Sequence, residues 1–363
     1  MRVTIIANRY LNTSHTQRTI GGIQNYIYNL CILIKEMNFE PVVIQRSTQN
    51  FSVNYDGYIV IGISCAQKYY NKKAISKVGK NEIVIFATEG LISKYEGKKI
   101  AIQHGIGWDI PVHEDWNRIR NRLYSIKRFI DAQKKIQKLA MVDKVVCVDH
   151  NFVNWYRTQI AYPEMRLEVI PNFSRLIENC DKPKDKINII FARRFFDYRG
   201  TRIFAQAAKR ISQKYKNVFI TIAGEGPDEQ YLHKELGLYP NIRFTHFDSE
   251  ESLEIHSKMH IAVIPTIGSE GTSLSLLEAM SAQCAVVCTN VGGMTNIVLD
   301  MVNGLMINPD TDSLVIAIEK LITDHELRDR LSKYGYITVQ KGFSIDLWKS
   351  KWKCVIQKIV ESK

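Results

Sequence analysis

The stretch Pro265-Thr-Ile-Gly-Ser-Glu-Gly-Thr-Ser-Leu-Ser-Leu-Leu-Glu-Ala-Met280 decides how this chain is read. An apolar run, His260–Ile264, ends at Pro265; a loop rich in glycine and serine follows, and a helix is predicted to begin near Thr272–Ser275. A strand–loop–helix turn gathers unpaired backbone N–H groups and the positive end of a helix dipole at one point. Such a point is an anion site, most often for phosphate. Glu270 stands in the loop and Glu278 one turn inside the helix. Glu278 has a second reading, as the acidic partner in a capping box Ser275-Leu-Leu-Glu278.

Working outward, β-branched runs alternate with helical stretches along the whole chain. Val3–Ala7, Pro41–Gln45, Gly57–Ile61, Ile83–Ala87, Lys99–Gln103, Lys144–Val148 and Arg166–Ile170 form one series of predicted strands. Ile187–Phe191, Val218–Ala223, Ile242–Thr245, His260–Ile264, Ala285–Cys288 and Gly304–Ile307 form a second. Strands alternating with helices imply parallel sheets covered on both faces. The polar segment Pro171–Lys186, with its Asp-Lys-Pro-Lys-Asp-Lys run, is the expected linker. The expected architecture is α/β, two doubly wound Rossmann-like domains facing across a cleft. Residues 1–172 form the first, residues 187–343 the second, and residues 344–363 a terminal helix packing back on the first. Doubly wound sheets bind ligands at their strand carboxyl ends.

The 363 residues agree with two domains at roughly 150 residues each. Hydrophobic residues at 45% and charged residues at 24% describe a globular chain rather than a disordered one. No run of about 18 apolar residues is present to span a membrane, and Met1-Arg-Val-Thr-Ile-Ile-Ala reads as a first strand, not a secretion signal. Seven cysteines are scattered without a Cys-x-x-Cys pair. Reduced thiols in a cytoplasmic protein are expected, with no disulfide framework and no metal site.

The net charge of +12 is lopsided. Residues 1–172 hold 24 Lys and Arg against 14 Asp and Glu; the remainder holds 25 against 23. The densest stretch, Asn117–Lys144, has nine basic residues, and its apolar residues recur at near-helical spacing. A long basic amphipathic helix is expected there. It reads as a solvated face or as a contact with anionic lipid headgroups on the inner face of the cytoplasmic membrane. Nucleic acid ranks last, since few aromatics are interleaved.

Glu270 and Glu278, followed by Ala-Met, resemble the paired-glutamate motif of retaining glycosyltransferase family 4, which has the GT-B fold. Cys284-Ala-Val-Val-Cys-Thr-Asn-Val-Gly-Gly293 and Asn303-Gly-Leu-Met-Ile-Asn-Pro-Asp310 are similar to the family in order and spacing. Ala192-Arg-Arg-Phe-Phe-Asp-Tyr-Arg-Gly200 resembles the segment that holds the donor diphosphate, and Ala223-Gly-Glu-Gly-Pro-Asp228 the family's Gly-x-Gly-Pro turn. Val169-Ile-Pro-Asn172 resembles the end of the first domain, and Gly21-Gly-Ile-Gln24 the amino-terminal glycine loop. The resemblance implies transfer of a sugar from a nucleotide-sugar donor to a glycan or lipid-linked acceptor with retention of configuration, in surface polysaccharide or glycolipid biosynthesis. No cofactor beyond the donor is implied.

It also implies roles. Glu278 would bind the donor ribose and Glu270 would lie beside the transferred sugar. Arg194 would fill the arginine position and Arg199 the one usually held by lysine, with Arg193 adjoining, so the register is open by one. The backbones of Gly22 and of Thr272, Ser273 and Leu274 would contact phosphate or sugar, and Gly224 would shape the donor pocket. His104, in Gln-His-Gly, matches the active-site histidine; its other reading is a histidine satisfied within the core. His246 and Asn296 depart from the family pattern. The cations and the helix start would stabilise the departing diphosphate without a metal.

Two rivals are weaker. An oxidoreductase needs Gly-x-Gly-x-x-Gly after the first strand, whereas here Asn-Arg-Tyr-Leu-Asn follows Ala7. The other is a non-catalytic, basic membrane- or nucleic-acid-binding protein on a degenerate fold of the same kind.

Overall fold

The computed structural model describes residues 1–19, 21–106, 119–159, 166–248, 250–268 and 270–362; the side chains of 119–122 are outside it. The chain divides into two compact units. The first comprises Met1–His104, the described residues of Val112–Pro171, and the residues from Lys349 on; the second is Asn172–Trp348 with Gly105 and Ile106.

In the first unit the strands are β1 (Arg2–Ala7), β2 (Glu40–Ser47), β3 (Phe51–Tyr55), β4 (Tyr58–Ser64), β5 (Ile83–Phe86), β6 (Lys99–Gln103), β7 (Lys144–Cys147) and β8 (Leu167–Val169). They pair in the order β3-β4-β2-β1-β5-β6-β7-β8. Every pairing is parallel except β3 with β4. Helices α1 (Gly22–Glu36), α2 (Gln67–Ile75), α3 (Ile119–Leu139) and α4 (His150–Arg157) connect them. The buried face of α1, Tyr26, Ile27, Leu30, Cys31 and Ile34, has the spacing of one helix side against the sheet. The strands expected from sequence do not include β3, an edge strand with every second residue exposed. It turns into β4 at Asp56-Gly57, both at positive φ, the two-residue turn that suits a right-handed twist.

The second unit has β9 (Ile187–Ala192), β10 (Val218–Ala223), β11 (Ile242–Thr245), β12 (Ile261–Ile264), β13 (Ala285–Thr289) and β14 (Leu305–Ile307), all parallel, in the order β11-β10-β9-β12-β13-β14. Its helices are α5 (Thr201–Lys214), α6 (Glu229–Leu236), α7 (Ser252–Ser257), α8 (Leu274–Ser281), α9 (Thr311–Thr323) and α10 (His325–Gly342). The strands are apolar at nearly every position because both faces are covered. Ile189, Phe191, Ile220, Ile222 and Val263 feed one core with Phe204, Ile211 and Leu321. Ile190, Ala262, Ile264, Val286 and Cys288 feed the other with Leu277 and Met280. The cysteines serve as small apolar filling, and burial pushes the thiols of Cys284 and Cys288 up to about 12.

Residues 172–186, expected as a linker, belong to the second unit. Asn172 donates to the Thr272 carbonyl at 2.6 Å, Cys180 to Ala282 at 3.3 Å, and Lys182 to Gln283. Polar side chains that read as solvated thus supply hydrogen bonds to carbonyls at the two ends of α8. Helix α11 (Ile345–Glu361) starts among residues of the second unit and ends among those of the first, where Trp352 is fully buried. The expected basic helix exists as α3; Asn117 and Arg118, the start of the stretch assigned to it, lie outside the described residues.

Candidate functional site

In each sheet the strand order reverses once, between β9 and β12 in the second unit and between β1 and β5 in the first. The loops leaving strands on either side of a reversal diverge and open a crevice at the carboxyl edge. Arg193, Arg194, Arg199, Glu270 and Thr272 lie on the loops leaving β9 and β12, with Glu278 in the helix that follows; Gly22 opens the helix after β1, and Gly224 and His104 follow β10 and β6.

In the second unit the chain leaves β9 through Arg193–Arg199 and turns at Gly200, where φ is +84° and an added Cβ would stand 1.8 Å from the Pro265 carbonyl oxygen. Only glycine allows this passage beside the end of β12. Ile267 N–H donates to the Tyr198 carbonyl at 2.9 Å, joining the two loops. Glu270 is buried between them. Its Oε2 accepts from Arg193 at 2.5 Å, from Arg199, and from the Thr266 hydroxyl at 3.0 Å, while Arg193 also donates to Thr266 at 2.5 Å. Burial raises the Glu270 carboxyl, but the two guanidinium charges outweigh it and hold the pKa at about 2. Burial lowers the pKa of Arg193; at Arg199 burial also lowers it, but Glu270 and Tyr198 together outweigh burial and raise it. Both remain charged. The cluster therefore carries one net positive charge.

Arg193, not Arg194, makes this contact. Side chains alternate along an extended strand: Phe191, Arg193 and Phe195 are all buried, and Arg194, one step on, is exposed with its guanidinium 5.5 Å from the Phe196 ring. That alternation was the available sequence signal. Thr266 was missed, as a hydroxyl on an apolar strand end gives little sign of its partner.

Helix α8 begins at Leu274, and its N-cap residue Ser273 makes no side-chain capping bond. Thr272 and Ser273 are buried, and Leu274 is half-buried. Gly292 and Gly293 back this loop: Gly293 N–H donates to the Glu270 carbonyl at 2.9 Å, and a Cβ on Gly292 would meet that oxygen at 2.1 Å. Glu278 lies in the second turn and is no capping-box partner, since it is too far along the helix. Its Oε2 accepts from the Ser252 hydroxyl of α7 at 2.7 Å. Burial pushes its pKa up to about 7, partly offset by that bond. Gly224, at φ +136°, passes within 2.1 Å (measured from an added Cβ) of the Arg193 carbonyl oxygen, locking the exit of β10 to that of β9.

In the first unit Gly22 opens α1 after the loop from β1, and His104 follows β6. His104 Nε2 lies 3.0 Å from the Ala87 carbonyl, which can only accept, so Nε2 carries the proton and Nδ1 keeps its lone pair. Burial lowers the imidazole to about 4, leaving it neutral. The Tyr26 ring meets it edge-on with centroids 5.3 Å apart, and Trp352 Nε1 donates to the Tyr26 hydroxyl at 2.7 Å.

Residues 173–338 match the family model described as Glycosyl transferases group 1. Two curated proteins are similar in sequence. An uncharacterised glycosyltransferase of Methanocaldococcus jannaschii is 25% identical over 62% of this chain and 60% of its own. A component of the phosphatidylinositol N-acetylglucosaminyltransferase of Arabidopsis thaliana is 23% identical over 94% of this chain and 81% of its own. The matched stretches cover 60%, 45% and 40% of three such relatives, so the chain spans about half their length. In structure, sucrose-phosphate synthase of Thermosynechococcus elongatus superposes with a TM-score of 0.79 at 16% identity, covering 100% of both chains. The chain has the GT-B fold of glycosyltransferases. The stretch of this GT-B chain matched by the family model holds Arg193, Arg199, Glu270 and Glu278.

Proposed function

We propose that this protein is a retaining glycosyltransferase that moves a sugar from a nucleotide-sugar donor to a glycan or lipid-linked acceptor. The observation that carries the reading is the clasp of Arg193 and Arg199 on Glu270, at the strand-order reversal and shortly before the start of α8. Breaking the sugar–phosphate bond leaves negative charge on a nucleoside diphosphate. Preset guanidiniums and helix-terminal N–H groups stabilise that charge as it develops. The chain itself supplies these positive groups, and a metal-independent reaction is the corresponding expectation.

Glu270 holds both guanidiniums and is kept ionised. Two guanidiniums lower its basicity, which makes the carboxylate a poor nucleophile for a covalent intermediate. Transfer then proceeds on one face: the acceptor oxygen bonds to the anomeric carbon as the phosphate oxygen leaves, and that oxygen takes the acceptor's proton. Glu278 reaches the donor ribose and Gly224 shapes the floor of the donor pocket; within the first unit, the backbone of Gly22 at the start of α1 suits a phosphate or sugar contact. His104, neutral with a lone pair on Nδ1, accepts a hydrogen bond from a sugar hydroxyl. The name of the Arabidopsis relative, a phosphatidylinositol N-acetylglucosaminyltransferase subunit, supports a lipid acceptor.

The test is turnover of a panel of sugar nucleotides with chelator present, with the anomeric configuration of the product read by NMR. Release of nucleoside diphosphate and an unchanged anomer are expected. An inverted product removes the single-face mechanism, and no turnover of any donor removes the enzyme reading.

A further inference from the structure

Helix α3 shows apolar side chains to solvent on the side turned from its own unit's core. Ala132, Ile136 and Leu139 are buried and fasten its carboxyl-terminal half. At 3.6 residues per turn, Leu123, Ile126 and Ile130 fall on the opposite side, and they are 61%, 56% and 46% exposed. Phe129, 62% exposed, adjoins Ile126 and widens the patch, while Tyr124, 55% exposed, lies beyond the neighbouring lysines. Single exposed apolar residues are ordinary, but a cluster of this density marks a contact surface.

The charges say what covers it. Asp131 is the one acidic residue between Ile119 and Leu139. By helical projection Lys127, Lys134 and Lys138 run beside the apolar stripe, and none has a carboxylate partner among the described residues. A second copy of the chain would bring two such lysine rows together, which like charge disfavours. A nucleic acid would leave the aliphatic stripe unused, because bases stack on aromatic rings. An anionic bilayer satisfies both halves of the pattern: apolar side chains enter the headgroup–acyl boundary while lysines reach the phosphates.

We propose that the outward side of α3 lies in the headgroup layer of an anionic membrane, with Leu123, Ile126, Phe129 and Ile130 inserted and Lys127, Lys134 and Lys138 on the lipid phosphates. This stands apart from the glycosyl-transfer reading, since lipid binding requires neither donor nor acceptor. The mode is peripheral; among the described residues no helix is long and apolar enough to cross a membrane.

Flotation of the full chain with vesicles tests it, comparing phosphatidylcholine alone with phosphatidylcholine plus phosphatidylglycerol. Binding is expected on the anionic vesicles only, and added salt weakens it. Lys127→Gln and Lys134→Gln are each expected to reduce partitioning about fivefold, corresponding to about 1 kcal/mol per lysine. Leu123→Ser/Ile126→Ser/Ile130→Ser is expected to abolish it while leaving the melting temperature in place, as these side chains are exposed. Phe129→Trp supplies a readout that does not depend on that variant's folding: its emission shifts to the blue when anionic vesicles are added. Equal binding to neutral vesicles, undiminished binding by the triple variant, or no emission shift overturns the proposal. So does a lipid-free dimer that the triple variant dissociates, since the stripe is then a contact between copies.

Discussion

Eight positions apart on one loop and helix, Glu270 and Glu278 are driven in opposite directions, the first to about 2 by two arginines and the second to about 7 by burial. Divergent carboxyl environments of this kind mark different tasks. Replacing Arg193 or Arg199 by alanine is expected to slow donor turnover by about 100-fold or more, the cost of losing one preset charge-stabilising group. Arg194→Ala, exposed in the loop past β9, is expected to stay within a few-fold; rates of nucleoside diphosphate release under saturating donor decide between the registers. At Glu278 the sign follows from the raised pKa. Folded and unfolded states are both protonated well below 4.5, and as pH rises through about 7 the folded state must take on a buried charge, so stability is lost upward. Glu278→Gln removes that charge, and its melting temperature relative to the parent is expected to improve between about pH 5 and about pH 8.5. The glutamate pair was legible from its spacing and loop. The identity of the inward arginine was harder to read, because only the in–out alternation from Phe191 to Phe195 separates two adjacent like residues.

Among the elements, the strands were the most legible, since parallel strands buried on both faces read as short apolar runs. Edge strand β3 was not, because alternate polar residues resemble a loop, although the Tyr55-Asp-Gly-Tyr58 turn announced it. Segment 172–186 was misjudged for the opposite reason: its polar side chains bond the second unit instead of solvent. Gly200 carries the turn between β9 and α5, and Gly200→Ala is expected to cost about 1–3 kcal/mol from its left-handed backbone alone. The collision with the Pro265 carbonyl adds to that, so urea midpoint and donor turnover should both fall. Helix α11 reaches His104 through Tyr26. Trp352→Phe deletes one hydrogen bond in that chain and is expected to destabilise by about 1–3 kcal/mol, with Tyr26→Phe/Trp352→Phe recovering part of the loss. A double-mutant cycle in denaturant melts measures the coupling.

For the molecule, the two units hold separate cores, and a nucleotide ligand is expected to protect them unequally. A donor analogue at about 100 times its Kd adds roughly 2.7 kcal/mol to the state that binds it. Hydrogen exchange should slow chiefly in residues 193–199 and 270–278, leaving β1 and β2 unchanged; uniform slowing would place the nucleotide elsewhere. The backbone path leaves the first unit at Pro171, completes the second, and re-enters the first at Lys349 within α11. The second unit is thus an insertion, and no single cut yields both halves. Expression of residues 1–171 alone strands Tyr26 without its indole cover, whereas a circular permutant that fuses residues 349–362 ahead of residue 1 restores it and makes the amino-terminal half a contiguous, separable module.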